Sequence, residues 1–253
     1  MSLAKESGFI LRKIPFSESS FILKVFTRGL GSITLMAKGA KRPGSKFRGL
    51  IDPALHLQFL FPAFSRSEIR ILSDISLLQD FPGIRDVPIK QGLTRIFAEV
   101  LLRHPPGEAD AASFHDLFLS AQKQIESCPS ERGPLQTRLC AFLLDYCRIS
   151  GFQPQFQECA RCGSPISGSP VVFHPGQGGP DCGRHGTSES SMHLKADVVK
   201  WLNELLGGGN PAPLDRTDAL RVEDFLMQYL GRHAGGARSL RSLPIWHELF
   251  VDV

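Results

Sequence analysis

Two short pairs of metal-binding residue types carry the clearest chemistry in this chain. They are Cys159-Ala-Arg-Cys162-Gly and, nineteen residues later, Cys182-Gly-Arg-His185-Gly. Each pair sits in a glycine-containing turn, and together they offer the three thiolates and one imidazole that a tetrahedral zinc accepts. The stretch between them carries Pro165, Gly168, Pro170, Pro175, Gly176, Gly178, Gly179 and Pro180. These residues exclude a helix and leave room for a short hairpin around Val171-Val172-Phe173. An insertion of that size cannot hold its own core, so bound metal would supply its folding energy. Two readings compete: a redox Cys159–Cys162 pair, and a site that uses His174 in place of His185. The pair lacks the strand-then-helix setting of a thioredoxin motif. Four ligands close the shell, which favours structural over catalytic zinc.

The second chemical feature is a stretch of cations. Lys38 to Arg48 reads Lys-Gly-Ala-Lys-Arg-Pro-Gly-Ser-Lys-Phe-Arg and contains Lys38, Lys41, Arg42, Lys46 and Arg48 without an acid. Gly39, Pro43, Gly44 and Ser45 deny it a helix or a central strand, so it is a loop. Crowded cations repel one another, and a polyanion relieves that repulsion. Phe47 stands between two of them, where its ring could stack on a base or tuck against the core. The full chain has a net charge of +4, yet residues 1–80 hold twelve basic and six acidic side chains, a net of +6. A polyanion site therefore belongs in this first third. Arg12, Lys24 and Arg28 are further candidates there, although strand cations also guard sheet edges.

These groups need elements to position them. Gly8 to Pro15, Phe21 to Arg28 and Ser32 to Ala37 read as strands, with Gly29-Leu30-Gly31 as a tight turn between the second and third. Leu55, Leu57, Phe59 and Phe61 alternate with His56, Gln58 and Leu60, the period of a strand with one buried face. Ile69 to Ile75 is a fifth candidate. Five strands with one long basic loop fit a small closed barrel of the oligonucleotide-binding (OB-fold) kind. Pro82 and Pro88 mark a change to helical periodicity over Ile89–His104, Ser113–Glu126 and Pro134–Ser150, with Gly151 as a stop. Cys128, Cys140 and Cys147 read as small buried thiols. Met192 to Leu206 has a helical pattern, and Asp218 is placed to cap a last helix that runs to Gly231. Arg232, His233, Arg238 and Arg241 then form a basic stretch, read as a solvated helix end. Leu243, Ile245, Trp246, Leu249 and Phe250 are expected to pack back on the helices. The expected class is α+β: an OB-fold barrel over 1–81, and a helical domain over 82–155 and 191–253 interrupted by a zinc-ribbon-like module over 156–190.

Enzyme signatures fail. His247-Glu248 begins like a zincin helix, but Val251 stands at the second histidine position. Gly207-Gly208-Gly209 lacks the Lys-Ser/Thr of a phosphate loop, and no serine sits in a nucleophile elbow. No apolar run reaches membrane-spanning length, and residues 1–10 lack a secretion signal. A cytoplasmic protein without membrane partners is expected, its cysteines reduced or metal-bound.

The order of these parts resembles the bacterial DNA repair protein RecO family. Gly8-Phe-Ile-Leu is similar to its opening strand, and Ala37-Lys-Gly-Ala-Lys-Arg-Pro-Gly-Ser-Lys to its basic loop. Tyr146-Cys-Arg-Ile-Ser-Gly-Phe with Cys159-Ala-Arg-Cys-Gly is similar to its helix-to-zinc junction, and Arg238-Ser-Leu-Arg-Ser-Leu to its closing motif. Many zinc-bearing members have a fourth cysteine where this chain has His185. The resemblance implies a nucleoid-associated, non-enzymatic recombination mediator. Such a protein binds single- and double-stranded DNA and anneals complementary strands. It works with RecR to load RecA on strands covered by single-stranded-DNA-binding protein. The alternatives from the residues are an adaptor that docks protein tails and an RNA-binding OB-fold protein.

Overall fold

The computed structural model describes residues 2–166, 170–174, 178–185, 191–235 and 240–250. Gly168, Pro175 and Gly176 of the zinc stretch, and Arg238 of the closing motif, lie outside them. In chain order the strands are β1 (Leu3–Phe16), β2 (Ser20–Thr27), β3 (Gly31–Ala37), β4 (Leu55–Pro62), β5 (Ile69–Ile71) and β6 (Asp74–Asp80). Helices α1 (Pro82–Arg85), α2 (Pro88–Arg103), α3 (Ala111–Ser127) and α4 (Arg132–Ile149) follow. Then come β7 (Val171–Phe173), β8 (Pro180–Asp181), β9 (Met192–Leu194), α5 (Ala196–Leu206), α6 (Arg216–His233) and α7 (Ser242–Glu248). The chain forms two compact units, Met1–Ser127 with Leu240–Val253, and Cys128–Ser239. The first helices thus share a unit with the sheet, and the metal-type turns share one with α4 to α6.

In the first unit the strands pair in the order β5-β3-β2-β1-β4-β6. The sheet is open, not the closed five-stranded barrel expected. The segment read as a fifth strand is two strands: β5 runs parallel to β3, and β6 runs antiparallel to β4. Leu72 and Ser73 form the break. The Leu72 amide donates to the Met36 carbonyl at 3.0 Å and the Ser73 amide to the Leu60 carbonyl at 2.8 Å, which ties the break to β3 and β4. Alternation along β4 sends Leu55, Leu57, Phe59 and Phe61 into one core with Ile10, Leu23, Val25, Leu35 and Ile75. Burial of each such side chain stabilises the unit by about 1.5–3 kcal/mol.

The other side of β1 carries Phe9, whose ring lies 4.8 Å from that of His56 and 4.7 Å from that of Phe118 on α3. Helix α2 starts on Pro88, whose missing amide costs nothing at that position. The terminal helix α7 docks on α2, as expected for Trp246, which is fully buried and donates from Nε1 to the Ile89 carbonyl at 2.9 Å. Glu99 of α2 holds the start of α7 by accepting from the Arg241 and Ser242 amides and the Ser242 hydroxyl. Burial opposes the Glu99 charge, but these hydrogen bonds outweigh it and hold the carboxyl down to about 2. Ile245 and Leu249 stay exposed, so the packing expected of the apolar terminus is partial.

In the second unit α4 packs on α6, and Leu135, Leu139, Phe142, Leu143 and Tyr146 are buried as the periodicity predicts. Cys140 and Cys147 are buried there too, and burial pushes both thiols up, away from reactivity. Two boundaries differ from expectation. Residues 192–194 are a strand paired with β7, because the three-stranded sheet β8-β7-β9 takes them up before α5 begins. The cap of α6 is Asp215, whose carboxylate accepts from the Asp218 amide at 2.9 Å. Asp218 sits in the first turn and pairs with Lys195 at 2.6 Å.

One partly buried contact in the first unit has a pH signature. His115 Nδ1 lies 3.0 Å from Asp116 Oδ1, and His115 Nε2 lies 3.1 Å from His56 Nε2. With the Nδ1 proton donated to the carboxylate, His115 Nε2 accepts and His56 Nε2–H donates. Burial, then the charges of His115 and Lys123, hold His56 down to about 4, against an ordinary 6.5. The unfolded chain therefore binds this proton first as pH falls, so stability is complete above about 6.5 and is lost toward about 4. Thermal unfolding is expected to show a midpoint that falls over this window, and His56→Phe is expected to flatten the fall; an equal slope in both proteins would contradict it.

Candidate nucleic-acid interface and metal centre

The basic loop leaves β3 at Ala37 and returns to β4 at Leu55. It is a run of turns, not a slack segment. The Arg42 amide donates to the Gly39 carbonyl, Ser45 to Arg42, Arg48 to Ser45 and Leu50 to Phe47, all at 3.0–3.1 Å. Phe47 is only 4 % exposed and belongs to the core of the first unit, with Ala40, Leu50 and Ile51 packed against the same cluster. Phe47 therefore cannot serve as the base-stacking ring that its neighbours suggested. The hydrophobic effect draws it inward, where it anchors the loop.

The charged ends stay outside: Lys38, Lys41, Arg42, Lys46 and Arg48 are all exposed. Their engagements differ. Lys41 Nζ donates to the Ser17 carbonyl at 2.8 Å and lies 5.2 Å from the centroid of the Phe21 ring. Lys46 Nζ donates to the Ser73 carbonyl, is 3.3 Å from an Asp74 oxygen and lies 5.4 Å from the Phe47 centroid. Arg48 Nη1 donates to the Pro43 carbonyl at 3.2 Å. At exposures above one half, the Lys46–Asp74 pair contributes little and can exchange for a phosphate.

The strand candidates divide. Arg12 and Lys24 are exposed and face each other across the β1–β2 pair. Lys24 Nζ donates to Thr34 Oγ1 at 2.9 Å. Arg28 is committed elsewhere: Nε and Nη2 grip the two Asp116 oxygens at 3.2 and 3.1 Å. The hydrogen bond to Asp116, then its charge, raises the Arg28 guanidinium further. Nothing in the spacing of residues 28 and 116 signals that pair, because it depends on where α3 crosses the sheet.

Sequence reasoning missed one aromatic. A cleft of about 390 Å³ opens beside the loop, lined by Phe16, Met36, Lys38 and Arg42 together with the β1–β2 turn. Phe16 is 46 % exposed. It ends β1 in a Pro-Phe-Ser-Glu-Ser run that reads as turn chemistry, which hid the ring.

In the second unit the two cysteine-containing turns converge. The ligand atoms of Cys159, Cys162, Cys182 and His185 all lie within 4.8 Å of one another. Each turn relies on a glycine in the left-handed region, Gly163 at φ 69° and Gly183 at φ 78°, a conformation side chains resist. The Gly163 amide closes the first turn onto the Cys159 carbonyl at 2.9 Å, and the Gly183 amide donates to Asp181 Oδ1 at 2.7 Å. Arg161 links the turns, with Nη1 donating to the His185 carbonyl at 3.0 Å and Nε 3.4 Å from Asp181. Phe173 of β7 carries this module onto the helical core, with its ring 5.2 Å from Phe225 of α6 and 5.5 Å from Phe156. The module thus borrows apolar surface it could not provide itself.

The donor set fits a tetrahedral metal. Cys162 Sγ and Cys182 Sγ are 3.8 Å apart, the edge of a tetrahedron with metal–sulfur bonds of about 2.3 Å. His185 Nε2 is buried with no hydrogen-bond partner among the described residues, which suits a ligand nitrogen. The Ser164 hydroxyl and amide draw the Cys162 thiol down to about 6, toward the thiolate a metal needs. His174, the competing fourth ligand, is buried with Nε2 3.7 Å from Asp181 Oδ2 and is outside the four-atom group.

The family model described as "Recombination protein O N terminal" matches residues 1–81, and "Recombination protein O C terminal" matches residues 88–244. The chain belongs to the RecO family. It is 26% identical to a DNA repair protein RecO of Anaeromyxobacter dehalogenans (strain 2CP-C), over 95% of this chain and 96% of that one. It is 28% identical to the RecO protein of Rubrobacter xylanophilus, with the same coverage. A third relative, the RecO protein of Streptomyces griseus subsp. griseus, is 29% identical over 95% of this chain and 98% of its own length. RecO is a DNA repair and recombination family, consistent with DNA binding. No described helix is long and apolar enough to cross a membrane.

Elemental analysis of protein purified without chelator is expected to find about one divalent metal ion per chain. Cys162→Ser and His185→Ala are each expected to lower that content and the thermal midpoint together. Metal-free protein that melts like the untreated form would contradict a structural role.

Proposed function

We propose that this protein is a recombination mediator that binds single- and double-stranded DNA and anneals complementary strands. With RecR it would assist RecA loading on strands covered by single-stranded-DNA-binding protein. The observation that carries the DNA contact is the acid-free loop 38–48, fixed near its C-terminal end by the buried Phe47 with its five cations outside. Lys38, Arg42 and Arg48 have no carboxylate partner among the described contacts and would meet phosphates first. Lys41 and Lys46 would follow by exchanging their present partners, and Arg12 and Lys24 would extend the track along the sheet. Arg28 would act at a distance, since Asp116 holds it.

Phosphate contacts of this kind release counterions and leave base edges free, the condition two strands need to find each other. Annealing and loading rest on family membership rather than on geometry. The metal would be zinc, given three thiolates and an imidazole in a closed tetrahedral set. Its task would be to hold the module of Cys159, Cys162, Cys182 and His185 in shape. We place the domain boundaries along the sequence at 81, 155 and 190, with the zinc module interrupting the helical part, while in packing α1 to α3 join the unit of the sheet.

Replacing Lys38, Arg42 and Arg48 together by alanine is expected to weaken single-strand binding. It should also flatten the slope of log affinity against log salt by about 2. Fluorescence anisotropy across a salt series measures both. An unchanged slope would remove the loop from the site.

A further inference from the structure

Building on the DNA-binding reading, we infer that Phe16 is a stacking platform for one unstacked base, which makes the cleft beside the loop a single-strand subsite. The geometry begins with two turns locked together. The Lys41 amide donates to the Ser19 carbonyl at 2.9 Å, Lys41 Nζ to the Ser17 carbonyl at 2.8 Å, and the Gly39 amide to Ser20 Oγ at 3.4 Å. The β1–β2 turn and the basic loop therefore form one rigid rim. Ser17 adopts φ 52°, the one non-glycine residue in the left-handed region among the described residues. Backbone strain of this kind persists only where the surroundings over-determine it, and here the backbone bond from the Lys41 amide to the Ser19 carbonyl does so.

Between the turns lies the 390 Å³ cleft, with Phe16 and Met36 as its apolar wall and Lys38 and Arg42 as its cationic edge. An exposed ring beside cations with no carboxylate partner among the described residues matches a nucleotide in both of its parts. The base covers the apolar wall, and its phosphates meet the ammonium and guanidinium. A duplex cannot use the wall, since its bases are already stacked inside the helix. Phe16 therefore adds affinity for single strands alone, while the loop cations serve both forms.

The test compares the full-length protein with Phe16→Ala and Phe16→Trp on oligothymidylate and on a duplex of equal length. Phe16→Ala is expected to lose roughly tenfold in single-strand affinity, with duplex affinity and the salt slope unchanged because no charge is removed. Phe16→Trp is expected to keep single-strand affinity, and its added indole emission is expected to be quenched by the oligonucleotide. Wild-type affinity of Phe16→Ala for single strands overturns the inference, as does an equal loss on duplex. If the wild-type protein shows a loop-dependent salt slope and Phe16→Ala still binds normally, the stacking role alone falls. If the wild-type protein binds neither strand, the DNA reading and this inference fall together.

Discussion

The order of the basic loop in the first unit depends on the burial of Phe47. A loop of five cations gains nothing by staying ordered, because mutual repulsion favours spreading them out. One ring in the core, with Leu50 and Ile51 beside it, reverses that preference. Its burial contributes about 1.5–3 kcal/mol, enough to hold a surface loop whose turns add only local hydrogen bonds. The cations are thus presented rather than merely tethered. Pre-organisation of this kind lowers the ordering cost of binding a flexible polyanion.

The same division of labour recurs in the second unit. Its β7–β9 module makes a sheet of three short strands and leans on Phe156 and Phe225 for apolar cover. The glycine turns bring three sulfurs and an imidazole together, a donor set that could hold a metal ion. Arg161 and Asp181 brace the turns from outside the ligand set, as supporting partners do in metal sites generally.

Much of this was legible in the residue order, and the failures have physical causes. Spacing alone identified the four clustered residues, because short chelating pairs are local. Alternation in β4 named its buried face correctly, since the period of a strand is fixed by its backbone. The closed barrel was not obtained, because the break at Leu72-Ser73 depends on which strands flank residues 69–80, a non-local fact. Phe47 was placed outside and Phe16 was overlooked for the same reason. Both are aromatics near cations, and only the packing decides which ring is inside. The Asp116 partner of Arg28 and the His56–His115 contact lie about sixty to ninety residues apart in sequence, beyond any local pattern.

The most direct test of the central claim, that the pinned cationic loop and its rim hold nucleic acid, is photo-crosslinking of a bound single strand followed by peptide mapping. Crosslinks are expected within residues 16–48, concentrated at Phe16, Lys38, Arg42 and Arg48. Crosslinks confined to Cys128–Ser239, with none in the first unit, would contradict the account.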